Sequence, residues 1–167
     1  MAAILTSLRN TIIAGFILSL VPFYLYYSGG YGHPEFAKFL FRWLHVLSGV
    51  MWIGILWYFN FVQIPNMPNI PDDQKPAIGK VIAPAALWWF RWGAMATLLT
   101  GLILAHLNGY IVDAFSLGLN LKEPSLAITL IGIGMWLGVI MWFNVWFVIW
   151  PAQQKALGMF EADDDEK

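Results

Sequence analysis

The sequence predicts an all-α integral membrane protein, a four-helix transmembrane bundle arranged as two related helical hairpins. Three observations predict it. Hydrophobic residues make up 59% of the chain and charged residues only 11%, less than half of the roughly 25% charge carried by ordinary soluble domains. Four uncharged stretches, at 10–34, 43–71, 92–112 and 124–154, each reach the ~20 residues needed to cross a bilayer. Two of them share a motif: MWIGILWYFN at 51–60 and MWLGVIMWFN at 135–144 match with every pair 84 residues apart.

The spans are expected near 10–28, 36–64, 84–108 and 125–150, in one membrane domain over 1–158, with an acidic tail at 159–167. Arg9 before the first apolar run resembles a signal peptide, but the run is long and no small-residue cleavage site follows, so it reads as a retained helix. The cluster from Gly29 to Pro34 is a turn. Five prolines between 65 and 84 argue against regular helix there, making the second connection about twenty residues long. The third connection, from Asn108 to Pro124, carries apolar residues and is expected along the membrane interface. The matched motifs make the second and fourth spans equivalent members of two hairpins, running in the same direction.

Net charge is −1, so no basic field recruits nucleic acid. With no cysteine, disulfides, iron–sulfur clusters, thiolate zinc sites and covalently attached c-type haem are excluded. Arg9, Lys75, Lys80, Lys155 and Lys167 fall on one side and Lys38, Arg42 and Lys122 on the other, which places both termini in the cytoplasm. Arg91, flanked by tryptophans, reads as an interfacial arginine reaching toward headgroups. Asn60 and Asn144 read as hydrogen-bonding groups, to each other or to a backbone carbonyl across helices.

His33 falls in the first connection and reads as a solvated loop residue. His45 and His106 fall inside spans, where an ionisable group is a functional-site hypothesis by default. Because the second and third spans are antiparallel, both lie in the same half of the membrane, the half that also holds His33. Two imidazoles at similar depth suggest an axial pair for haem b, which asks for neutral imidazole and an apolar slot. Zinc or copper would need three or four convergent ligands, and the spans carry no carboxylate. Gly49, one turn from His45, clears space on the same face. Arg42, one turn the other way, suits a propionate, and Trp52 provides apolar wall. The competing reading makes each histidine an interhelical hydrogen-bonding group.

FRWLHVLSGVMWIG and WFNVWFVIWPAQQKALG resemble the N-terminal membrane domain of bacterial cytochrome c-linked urate oxidases. The matching positions are Arg42, Trp43, Leu44, His45, Trp52, Ile53 and Gly54, and then Asn144, Pro151, Gln153, Gln154 and Lys155. WLHVLSGVMWIG is also similar, more weakly, to membrane protoporphyrinogen oxidases, and copper-resistance membrane proteins begin a helix comparably. The resemblance implies a helical bundle of the bacterial inner membrane that handles haem b and electrons. It further implies partner subunits of a redox complex, with a quinone or a c-type cytochrome as redox partner. Members of the urate-oxidase family carry further spans and a covalent haem domain that this chain lacks, so their activity does not transfer with the likeness.

Three functions follow. The first is a haem b-binding subunit for electron transfer or anchoring. The second is a membrane oxidase acting on urate or protoporphyrinogen IX; it is disfavoured because few polar groups are available to converge on a substrate, and no catalytic residue is assigned. The third is a cofactor-free accessory subunit of a membrane complex.

Overall fold

A computed structural model describes residues 5–29, 33–123 and 125–156; the acidic tail at 159–167 lies outside them. The described residues form helices and no strands. Four helices are long and apolar enough to cross a membrane. Their large apolar side chains are mostly exposed. Such a surface is stable only in a solvent as apolar as itself, as lipid tails are.

The chain divides into two compact units, Met1–Leu40 and Phe41–Lys167. In the first, α1 runs over Leu8–Ser28 with Ser7 as N-cap, a residue type that satisfies the orphan N–H groups of a first helical turn. The second helix, α2, begins at His33, so this residue opens a helix rather than lying in a loop. The C-terminal rings of α1 pack on the first turns of α2: Tyr26 stacks on Phe39 with centroids 4.5 Å apart, and Phe23 meets the same ring edge-on at 5.6 Å.

Helix α2, which enters the second unit at Phe41, is α-helical over His33–Trp57, widens to a π-helix over Tyr58–Gln63 and ends with the short segments Ile64–Asn66 and Met67–Asn69. Helix α3 begins with Lys75–Ala77, widens over Ile78–Ile82 and continues as Ala83–Leu107. A short α4, Ile111–Phe115, precedes α5, which is Leu126–Phe143, a π-helix over Asn144–Ile149, and Trp150–Ala156.

The prolines explain the wide turns. The N–H groups of Ile64, Ala83 and Trp150 donate five residues back, to the carbonyls of Phe59, Ile78 and Val145. Each donor immediately precedes a proline: Pro65, Pro84 and Pro151. In a regular helix the proline ring would strike the carbonyl four residues back; a π-turn opens the spiral at that point. Pro76 sits in the first turn of α3, where a missing N–H costs nothing, whereas Pro65 and Pro84 lie inside continuous helix and depend on those wide turns. The expected twenty-residue break is therefore only 70–74, and the spans lengthen to Pro34–Asn69, Lys75–Leu107 and Leu126–Lys155.

The two matched motifs meet the same fate. Each widens near its asparagine, but Asn60 Nδ2 donates to Leu56 O of its own helix at 2.8 Å, and Asn144 is exposed. The expected cross-helix pairing of these two residues is not formed. A helical asparagine reaches the carbonyl one turn back more cheaply than a neighbouring helix.

The core is aromatic. Trp52, Phe90, Ala94 and Val145 are buried together, with Trp142 and Trp146 packed against them, and Gly93 lets α3 approach the Trp52 backbone. At the other end, the turn after α4 lies across α5. Thr129 Oγ1 donates to Leu117 O at 2.9 Å and Trp136 Nε1 to Phe115 O at 3.0 Å, while the Phe115 and Trp136 rings meet edge-on. Trp136→Phe keeps the ring contact and removes the N–H donor. It should destabilise the protein by about 0.6–1.5 kcal/mol, read from thermal unfolding in detergent.

Candidate functional site

His45 is half-buried and faces α3. Its Nδ1 lies 3.0 Å from Thr97 O, with Thr100 Oγ1 at 3.4 Å as a second, weaker contact. A carbonyl oxygen only accepts, so this bond requires the proton on Nδ1; in the neutral ring Nε2 then keeps its lone pair. Among the described residues no hydrogen bond forms at Nε2. A backbone carbonyl behind one ring nitrogen is the arrangement that fixes the tautomer of ligating histidines and makes the other nitrogen more basic.

The ring can sit there because α3 carries Gly101. A Cβ at that position would lie 2.8 Å from His45 Cε1 and 3.1 Å from Nδ1. Beside it opens a partly open cavity of about 350 Å³, within the lower range of small-molecule sites. Its wall includes His45 and Trp52 from α2, Thr97 and Gly101 from α3, Tyr110 and Phe115 around α4, and Met135 and Gly138 from α5. The wall is largely apolar. Thr97 already directs its hydroxyl to Gly93 O at 2.8 Å; among the lining residues His45 Nε2, the Tyr110 hydroxyl and the Trp52 indole N–H form no hydrogen bond with the described residues.

Of the residues singled out in the sequence, His45 and Trp52 come together at this cavity. Gly49 faces α3 instead, where its Cβ would meet Thr97 Cγ2 at 3.9 Å. Arg42 is exposed and outside the wall. His106 is also exposed and outside the wall. At 100° per residue it sits about 140° around α3 from Gly101, so the structure does not bring it against His45. Thr97, Gly101, Tyr110 and the glycines of α5 carried no weight in the sequence reading. The Gly134-x-x-x-Gly138 spacing is a motif of close helix approach in membranes, but an added Cβ at either glycine meets nothing within 4 Å; here the two glycines line the cavity.

A second polar group lies away from this cavity. Arg91 sits among the exposed Trp88, Trp89 and Trp92 and packs on the indoles of α5. Its guanidinium lies 3.2 Å over the Trp150 ring centroid and 5.9 Å from that of Trp146. Arg91 Nε is buried without a hydrogen bond, as are the indole N–H groups of Trp52, Trp142 and Trp146 and the side-chain oxygens of Gln63 and Gln153.

Among the described residues no group of three or more His, Asp or Glu side chains is placed to hold a metal ion. The chain matches no protein family, no curated protein and no solved structure.

Proposed function

We propose that this membrane protein binds haem b in the cavity between α2, α3, α4 and α5, with His45 Nε2 as axial ligand, and serves as an electron-transfer or anchoring subunit of a larger redox complex. The observation that carries the reading is the His45 Nδ1–H···O=C bond to Thr97 beside an apolar cavity. Part of the donor set suits the group: one imidazole in a fixed tautomer, an aromatic and aliphatic wall, and glycines that keep part of that wall flat, while no cationic side chain lines the cavity for the propionates. Haem, when bound, supplies one-electron chemistry. The residues of the chain supply a lone pair at Nε2, raised in basicity by the Thr97 carbonyl, and a wall that excludes water and tunes potential. The four spans fit two related hairpins through the shared motifs of α2 and α5.

The Thr97 bond also supports a second reading, in which His45 only braces α2 against α3 in a cofactor-free accessory subunit. A reduced-minus-oxidised visible spectrum of the purified protein separates the two. The expected result is a b-type signal that is lost in His45→Ala and kept in His106→Ala. Well-folded wild-type protein that takes up no haem would leave the accessory reading standing. A third variant tests the cavity itself. A Cβ at Gly138 meets no atom within 4 Å, so Gly138→Leu should keep the unfolding temperature while lowering haem content, measured as haem per protein.

A further inference from the structure

We propose that Arg91 and the indoles beside it form a binding site for the phosphate group of an anionic phospholipid. A guanidinium makes its hydrogen bonds in its own plane. With one face laid on Trp150, the edge remains to be satisfied. Among the described residues Arg91 forms no hydrogen bond and no ion pair, although its Nε is buried.

The helices around it offer no counter-charge. Neither Lys75–Leu107 nor Leu126–Lys155 contains an aspartate or glutamate, and none occurs in α2 after Glu35. Asp72 is paired with Lys75 and Glu35 with Lys38. Only the Nε of the guanidinium is buried, and Trp150 covers one face; an acceptor of opposite charge at the edge would give the cation the hydrogen bonds that the protein does not supply. The unpartnered polar groups include two neutral acceptors, the side-chain oxygens of Gln63 and Gln153, but none carries negative charge. Trp146 lies against the guanidinium, and its indole N–H and that of Trp142 are buried without acceptors. The site therefore collects hydrogen-bond donors and lacks an acceptor with negative charge, which is what a phosphate oxygen provides.

The source of the phosphate follows from the surroundings. Trp88, Trp89 and Trp92 are exposed on the same stretch of α3, and exposed tryptophans gather where headgroups lie. Basic pockets between spanning helices are the usual receptors for anionic headgroups. Free phosphate would bring no acyl chains to cover the apolar surface around those rings.

The test is a titration of purified full-length protein in detergent with phosphatidylglycerol, read by native mass spectrometry and by unfolding temperature. Dioleoylglycerol, which lacks the phosphate, and inorganic phosphate serve as separate arms. Wild-type protein should retain phosphatidylglycerol and gain thermal stability from it. Arg91→Gln should bind it about tenfold or more weakly, the loss of one charge-assisted contact. Arg91→Lys, which keeps the charge but not the planar fork, should bind with intermediate strength and guards against a folding defect. Trp146→Phe, which removes the indole N–H and trims a ring packed on the core, should lower the unfolding temperature of the lipid-free protein and also reduce the temperature rise that the lipid brings.

Equal binding by Arg91→Gln, or an equal effect of dioleoylglycerol, would overturn the proposal. Stabilisation by inorganic phosphate alone, with no preference for the lipid, would overturn the lipid as its source. If the wild type takes no lipid but Asp163→Asn, Asp164→Asn and Asp165→Asn together create binding, the acidic tail is the anion, and the proposal fails. No arm depends on haem, so the result stands apart from the fate of the His45 reading.

Discussion

Gly132→Ala should be the most damaging single methyl group that can be added to this chain. A Cβ at position 132 would overlap the carbonyl oxygen of Ala114, and would lie 3.0 Å from both Ala114 C and Leu117 Cδ2. Most of what it meets is backbone, which cannot rotate aside as a side chain can. The backbone cannot slide either. Leu117 and Gly118 hold left-handed conformations, with φ of 56° and 76°, and the hydrogen bonds from Thr129 and Trp136 fix the turn on both sides. Accommodating the methyl means lifting α4 and its turn away from α5. The expected cost is overpacking of ~1–3 kcal/mol plus two interhelical hydrogen bonds, about 3–4 kcal/mol together. Thermal unfolding in detergent measures it. Gly134→Ala, where a Cβ meets nothing within 4 Å, is the control and should leave stability unchanged. Similar behaviour of the two variants would refute the placement of α4.

The second large effect is a coupling. Gly101→Ala should destabilise the protein by about 1–3 kcal/mol, because its Cβ drives the His45 ring from the Thr97 carbonyl. In a His45→Ala background there is no ring to displace, and the penalty should disappear. A double-mutant cycle on unfolding free energies should therefore give an interaction of about 1–3 kcal/mol between the two positions. The visible spectrum reads the same event chemically: Gly101→Ala should lose the b-type signal although His45 is still present. Additive energies would show that the ring does not rest on Gly101. A spectrum untouched by Gly101→Ala would instead separate haem binding from the Thr97 bond.

The spans were legible because lipid solvation writes itself as long uncharged runs, and four such runs became four helices. Their ends were misread at the prolines. Pro65, Pro84 and Pro151 signal a breach of regular hydrogen bonding, and single residues do not say whether a chain breaks there or merely widens. His45 was legible as an ionisable group among apolar ones. Its partner was not, since Thr97 contributes a backbone carbonyl and Gly101 contributes the absence of a side chain. His106 misled for a related reason: depth along a helix can be counted from sequence, but the face it presents depends on which residues meet the neighbour. Arg91 looked interfacial because its neighbours are tryptophans; that one of its partners would be Trp150, almost sixty positions away, is information only packing holds.

The close approach of Gly93 to Trp52 has a bearing on what lies outside the bilayer. It fixes the heights of two antiparallel helices, so that five residues further along, the exposed Trp57 of α2 stands level with the exposed Trp88 of α3. If these rings lie at the lipid boundary, about 12 residues of α2 and about 13 of α3 continue past it, close to 18 Å of helical hairpin at 1.5 Å per residue. That hairpin is closed by the short turn at 70–74 and stiffened by backbone hydrogen bonds along both arms. Both arms carry exposed apolar side chains, Phe61, Val62 and Ile64 on α2 and Val81 and Ile82 on α3, so the hairpin carries the apolar surface on beyond the level of those rings.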